Sequence, residues 1–319
     1  MPASDFAAVS GQRIAVLIPC YNEEVAIPHV VAAFRNALPD ATIFVYDNNS
    51  KDATRRVAEA AGATVRSERQ QGKGHVVRRM FADIEADAYV LVDGDDTYDA
   101  GAAPQMLQLL FSERLDMVTG VRVTEAIDAY RPGHRFGNAV LTGMVRWVFG
   151  NRISDMLSGY RVFSRRFVKS FPALASGFET ETEFTVHALE LRLPVGEVKT
   201  AYKERPTGST SKLNTWRDGF RILSTILLLV QRERPLMFFS VTGALLFLTS
   251  IILALPLITT YLEIGLVPRL PTAILATGLA LMSFLSLASG LILDTVSRGR
   301  LEAKRLAYLA QPGPDQIKR

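Results

Sequence analysis

The chain has 319 residues, enough for one large domain or two smaller ones, and 48% of them are hydrophobic. Its mean hydropathy of +0.15 is high for a soluble protein. The net charge of +4 arises largely from basic residues flanking an apolar C-terminal third, which favours a membrane surface over nucleic acid as the partner, and no nucleic acid is expected.

Met1 to Gln12 is a short polar tail without the basic start and apolar core of a secretory signal, so the bulk of the chain is expected in the cytoplasm. Arg13 to Pro19 reads as a buried strand that Pro19 stops. Apolar residues at helical spacing follow over Glu24–Leu38, then a second strand over Thr42–Tyr46. Ser50, Asp52 and Thr54 open a helix that Gly62 closes. A short strand over Ala63–Ser67, a helix over Gly74–Glu85, a strand over Tyr89–Val92 and a helix over Ala103–Phe111 come next. Strands alternating with helices of this length predict β-α-β units and a mostly parallel sheet. Ligands of such sheets bind beyond the carboxyl ends of the strands. Three of those ends carry polar clusters: Tyr21-Asn22-Glu23, Asp47-Asn48-Asn49 and Asp93-Gly94-Asp95. Asp93 and Asp95 lie two apart at a strand end and suit a hard divalent cation, Mg²⁺ or Mn²⁺, or else a solvated turn. Their convergence with the other two clusters favours the cation. Cys20 is the only cysteine, which excludes an internal disulfide, and no Cys/His cluster suggests zinc.

Leu236–Leu262 and Leu270–Leu293 carry no charge, and each exceeds the roughly 20 residues that cross a bilayer as a helix. Arg217, Arg221, Arg232 and Arg234 precede the first; Arg298, Arg300, Lys304 and Arg305 follow the second. That bias predicts a hairpin with both chain termini cytoplasmic, as in a bacterial inner-membrane protein. Trp216–Val230 reads as an amphipathic interfacial helix or as a core helix of the preceding domain. Glu302–Arg319 is a polar tail without a motif.

Pro19-Cys20-Tyr21-Asn22-Glu23, Asp47-Asn48-Asn49-Ser50, Gly72-Lys73-Gly74 and Asp93-Gly94-Asp95, in this order and spacing, resemble the family 2 glycosyltransferases over about Arg13–Lys212. The resemblance implies an α/β, Rossmann-like GT-A domain. It implies that Pro19, Tyr21, Asn22, Glu23, Asp47, Asn49, Asp93 and Gly94 bind a UDP- or GDP-sugar, and that Asp93 and Asp95 hold the cation. Lys73 reads as a phosphate holder or as an ordinary lysine at a helix start. Asp155-Met156-Leu157-Ser158-Gly159-Tyr160-Arg161 resembles the D-x-x-S-G-[FY]-R segment of the polyprenyl-phosphate glycosyltransferases, the dolichyl-phosphate mannose synthase group among them. Gly120-Val121-Arg122, Arg135-Phe136-Gly137-Asn138 and Arg205 to Lys212 match further basic segments of that group. These imply Arg122, Arg135, Arg205 and Lys212 as ligands of an acceptor phosphate, which arginine grips in a forked way. Asp95, Asp155, Arg122 and Arg135 are then the expected catalytic set. Asp155 reads as a base, an orienting carboxylate, or a buried partner of Arg161. Of the alternating acids Glu179, Glu181 and Glu183, one is expected near the sugar or the basic cluster, or all three only at a helix start.

Three departures from the family pattern stand out. Asn48 replaces the second acid of D-D-G-S, Asp96-Thr97 replace the Leu-Gln of D-A-D-L-Q, and the glutamine of the processive Q-x-x-R-W is absent before Arg146-Trp147. The reading is an inverting, non-processive, cation-dependent transferase acting on a membrane polyprenyl phosphate. Its rivals are transfer to another lipid or lipid-linked glycan, and a membrane-anchored nucleotide-sugar-binding protein without turnover. The expected organisation is a tail (1–12), the GT-A domain (13–215), the interfacial helix (216–234), the hairpin (235–297, spans about 236–262 and 270–296) and a cytoplasmic tail (298–319). Homo-oligomerisation is left open.

Overall fold

The apolar run at Ile14–Ile18 suits a strand covered on both faces. In the computed structural model, which describes residues 11–123, 154–174, 180–203, 228, 230, 231 and 234–313, it forms β1 (Ile14–Cys20). This strand lies between β2 (Thr42–Asp47) and β4 (Ala88–Leu91), parallel to both. β3 (Thr64–Ser67) adds to the far side of β2. The connections are α1 (Ile27–Ala37), α2 (Thr54–Ala60) and α3 (Lys73–Asp83), close to the expected helices.

Beyond β4 come α4 (Ala103–Ser112), β5 (Met117–Val123), β6 (Arg161–Ser164), α5 (Arg165–Ser170), α6 (Thr180–Glu190) and β7 (Val195–Ala201). The described strands form one seven-stranded sheet in the order β3-β2-β1-β4-β6-β5-β7. β6 runs antiparallel to β4 and β5, and every other pair is parallel. Antiparallel β6 brings the chain before Arg161 to the edge where β1, β2 and β4 end, since Leu91 pairs with Arg161.

Successive strand residues face opposite sides of a sheet. Val162 joins Val16, Ile18, Val90, Phe34 and Met106 in the main core, while Phe163 turns to an aromatic group of Phe81, Phe167, Phe171 and Phe184. Burying each such side chain stabilises the fold by about 1.5–3 kcal/mol.

The chain divides into two compact units, residues 1–220 with 304–319, and residues 221–303. In the second unit, α7 (Pro235–Ile264) and the first part of α8 (Leu270–Leu309) are each long and apolar enough to cross a membrane. They pack as an antiparallel hairpin: Ser286 Oγ donates to the Phe239 carbonyl (2.8 Å) and Ser250 Oγ to the Ala276 carbonyl (2.7 Å). Gly265, left-handed at φ 70°, ends α7. The tail expected from residue 298 is helical to Leu309, and its last turns belong to the first unit. There Lys304 pairs with Glu190 (2.6 Å), and Tyr308 donates its hydroxyl hydrogen bond to buried Asp116 (2.8 Å). Arg166 clamps the same carboxylate with two N–H groups and lies 5.0 Å over the Tyr308 ring. The expected interfacial helix falls almost wholly outside the described residues.

Candidate active site

The loops after β1 and β2 are laced together. Asn22, left-handed at φ 53°, donates its N–H to Ser50 Oγ (2.9 Å), and its side-chain oxygen accepts from Lys51 N (2.8 Å). Glu23 N donates to Thr54 Oγ1 (2.8 Å), and Glu24 accepts from Ala53 N (2.8 Å). Buried Asp47 closes β2 and accepts from Ser50 N (3.3 Å). Pro19 and Tyr21 are half-buried in the same wall. The nucleotide residues expected from the first two clusters therefore share one framework.

The acidic turn follows β4. Asp95 is 5% exposed, and its Oδ1 accepts from the Thr97 hydroxyl (2.6 Å) and N–H (3.3 Å). Asp96 takes the left-handed conformation at φ 58°. Aspartate tolerates that region better than leucine, so the departure at this position has a backbone reason. A Cβ on Gly94 would lie 2.6 Å from Cys20 Sγ, which leaves room only for glycine. The Asp93 side chain is 31% exposed and pairs with Lys73.

Lys73 is the first residue of α3, and its ammonium bridges Asp93 and Glu181. Burial pulls its pKa down, but the two carboxylates outweigh this and the net direction is up. One oxygen of buried Glu181 takes that contact; the other is buried without a hydrogen-bond partner. Of the three alternating acids, Glu181 is the one brought to the site, whereas Glu183 accepts from Leu174 N (2.9 Å). Glu179 is outside the described residues.

On the β5 side, Arg122 grips Asp155 through two side-chain bonds of 2.8 Å and lies 5.6 Å over the Tyr202 ring. Burial pushes the Asp155 carboxyl up, but the Arg122 hydrogen bonds and charge more than reverse this, and it stands below its ordinary 3.8. Among the described residues the ion-pair partner of Asp155 is thus Arg122 and not Arg161. Arg161 is fully buried and gives its N–H groups to the carbonyls of Ser158 (3.1 Å) and Met156 (2.6 Å) and to Thr185 Oγ1 (3.0 Å). Burial lowers its pKa to about 10, which leaves it charged at neutral pH. Arg161 therefore shapes the turn that presents Asp155. Ser158 Oγ donates to the Gly120 carbonyl (2.5 Å), and Gly159 N donates to Tyr98 OH (2.8 Å). A Cβ on Gly159 would overlap the Asp93 carboxylate. Tyr98 and Tyr202, bridged through their backbones and packed ring to ring at 5.3 Å, join the two halves of the site. Sequence reasoning missed both, since neither stands in a recognised motif. Arg135, Arg205 and Lys212 lie outside the described residues.

Asp93 and Glu181 set two carboxylates against the Lys73 ammonium, and Asp95 stands two residues beyond Asp93 in the same turn. Among the described residues no group of three or more His, Cys, Asp or Glu side chains is arranged to hold a metal by itself. Two carboxylates with the rest of the shell left to phosphate and water suit Mg²⁺ or Mn²⁺. Asp93 and Asp95 supply carboxylate oxygens of the type such an ion takes.

Residues 15–171 match the family described as Glycosyl transferase family 2. An uncharacterized protein of Shigella flexneri is 57% identical over 156 residues, 49% of this chain and 96% of its own length. Glycosyltransferase AglJ of Haloferax volcanii is 34% identical over 236 residues, 72% of this chain and 76% of its own. A dolichyl-phosphate hexose transferase of the same organism is 27% identical over 221 residues, 69% of this chain and 95% of its own. The fold is also that of Mycobacterium tuberculosis glucosyl-3-phosphoglycerate synthase, solved with Mn²⁺ and UDP-glucose. The TM-score is 0.56 at 23% identity, covering 72% of this chain and 81% of that one. Taken with the strand-end clusters of its sheet, these likenesses make the chain a member of glycosyl transferase family 2, a glycosyltransferase of GT-A fold.

Proposed function

We propose that the enzyme is inverting and cation-dependent, and that it moves a sugar from a UDP- or GDP-sugar to the phosphate of a membrane polyprenyl phosphate. The observation that carries this reading is the pairing of two halves around one sheet edge: the acidic turn with Lys73, and the Arg122–Asp155 pair beside it. The dolichyl-phosphate hexose transferase relative and the two long apolar helices support a lipid acceptor. The Mn²⁺ and UDP-glucose held by the structural neighbour support the donor and cation.

In this reading Tyr21 stacks on the base and Asp47 accepts a ring N–H, with Pro19, Asn22, Glu23, Asn49 and Gly94 completing the wall. Asp93 and Asp95 hold the divalent cation, which when bound supplies neutralising charge to the diphosphate. Lys73 leaves its carboxylate partners for a diphosphate oxygen. Arg122, with Arg135, Arg205 and Lys212, draws in the acceptor phosphate. Both oxygens of Asp155 are taken by Arg122, which supports an orienting role over that of a base. The acceptor is largely ionised near neutral pH, so little proton transfer is asked of the protein. Its oxygen attacks the anomeric carbon from the face opposite the diphosphate. The new C–O bond forms as the old one breaks, and the electron pair leaves with the diphosphate. Positioning and charge supply the rate. The hairpin anchors the enzyme in the bilayer, with the catalytic domain and both termini cytoplasmic.

The test is to incubate the purified enzyme with Mg²⁺ or Mn²⁺, undecaprenyl phosphate and a panel of nucleotide-sugars, then weigh the lipids. One donor should add one sugar mass to the carrier. A carrier left unmodified with every donor, while another lipid gains sugar, overturns the acceptor assignment.

A further inference from the structure

Asn48 stands where the family pattern has an acid, and the structure gives its amide a use that an acid cannot fill. It is 4% exposed. Its Nδ2 donates to the carbonyls of Glu68 (2.9 Å) and Gln70 (2.7 Å). Its Oδ1 accepts from Gly72 N (2.7 Å) and Gln71 Nε2 (3.3 Å). The amide orientation is fixed by these partners, because the reverse would set oxygen against two carbonyls and N–H against N–H. Asn49 adds a bond from its own Nδ2 to the Arg69 carbonyl (2.9 Å). The clasped segment, residues 68–72, ends at Gly72, whose φ of 133° turns the chain into α3. The next residue is Lys73, whose ammonium meets Asp93 and Glu181.

We propose that Asn48 is a positioning residue for the donor diphosphate: it fixes the 68–72 loop so that Lys73 enters the site at the phosphate end of the pocket. The inference rests on the donor reading above and on Lys73 as the phosphate ligand. An aspartate at 48 keeps the acceptor for Gly72 N but sets a carboxylate oxygen within 3 Å of two carbonyl oxygens. The loop must then open, and Lys73 moves with it, while the loops after β1 and β2 stay tied through Ser50, which accepts from Asn22 N and donates its own N–H to Asp47.

The test compares nucleoside diphosphate with nucleoside. Binding of UDP and GDP, each with Mn²⁺, and of uridine and guanosine is measured by titration calorimetry on the full chain in detergent. Wild type should prefer one diphosphate strongly over its nucleoside. Asn48→Asp should weaken the diphosphate about tenfold, the scale of one charge-assisted hydrogen bond, and leave the nucleoside unchanged. Gly72→Ala, strained at that φ, disturbs the same loop while keeping the Asn48 side chain and should lower the same ratio. It serves alone if the Asn48 variant does not fold. Preserved preference in the variants, or equal loss for diphosphate and nucleoside, overturns the proposal and leaves the donor reading standing. A wild type that binds neither diphosphate overturns both.

Discussion

At the scale of single residues, the site is built on positions whose side chain is absent or small for a stated reason. Gly159 has no room for a Cβ beside Asp93. Gly159→Ala should therefore lower the melting midpoint by overpacking and cut turnover at least about tenfold by displacing Asp93. Turnover equal to wild type contradicts that contact. Gly94→Ala collides with Cys20 Sγ, and Cys20→Ala removes the sulfur. The double variant should recover much of the stability that Gly94→Ala loses, read by thermal melts; additive losses contradict the packing. The motif acids and Arg122 could be singled out in the sequence because their residue types announce charge chemistry, whereas Arg135 and Arg205 lie outside the described residues. The partner of Asp155 was not, because pairing with Arg122 depends on where β5 lies against the turn before β6. The left-handed Asn22, Asn49 and Asp96 were equally hidden: backbone sign is a matter of the loop, and only the residue types hint at it.

At the scale of elements, periodicity found the first four strands and the helices between them. It did not find β6, whose four buried residues begin with an arginine, nor α6, whose two faces are both buried and so show little amphipathic pattern. α6 carries a testable pH dependence. Burial, then the charge of Lys304, lowers the His187 pKa from 6.5 to about 3. The unfolded chain takes up this proton below about pH 6.5 and the folded chain does not until about 3, so stability falls as pH drops through that window. His187→Gln should flatten that part of the pH–stability curve; an unchanged slope between pH 6 and 4 (the accessible part of the window) would assign the sensitivity elsewhere. The last turns of α8 add another case. Tyr308→Phe removes one donor from the buried Asp116 carboxylate and should cost about 1–3 kcal/mol, measured by denaturation. No loss means that Arg166 and Ser164 suffice to satisfy Asp116.

At the scale of the whole molecule, the two units treat their apolar residues in opposite ways. The catalytic unit hides its apolar runs inside a sheet, while Leu245, Leu255, Leu262, Ile274 and Leu285 of the hairpin are more than half exposed. A bilayer removes that cost without any change of fold. The hairpin was legible because length and hydropathy suffice for it, whereas the helical end of α8 was not, because polar residues look alike in a tail and on a docked helix. The central claim is that the acidic turn after β4 organises cation-dependent sugar transfer to a lipid phosphate. The most direct measurement is the mass of glycosylated undecaprenyl phosphate formed by wild type and by Asp95→Ala over a Mn²⁺ titration, with folding checked by circular dichroism. Wild type should form product only with added cation, and the variant should lose about a hundredfold or more at every concentration. A folded Asp95→Ala enzyme with full, cation-dependent yield would contradict the account.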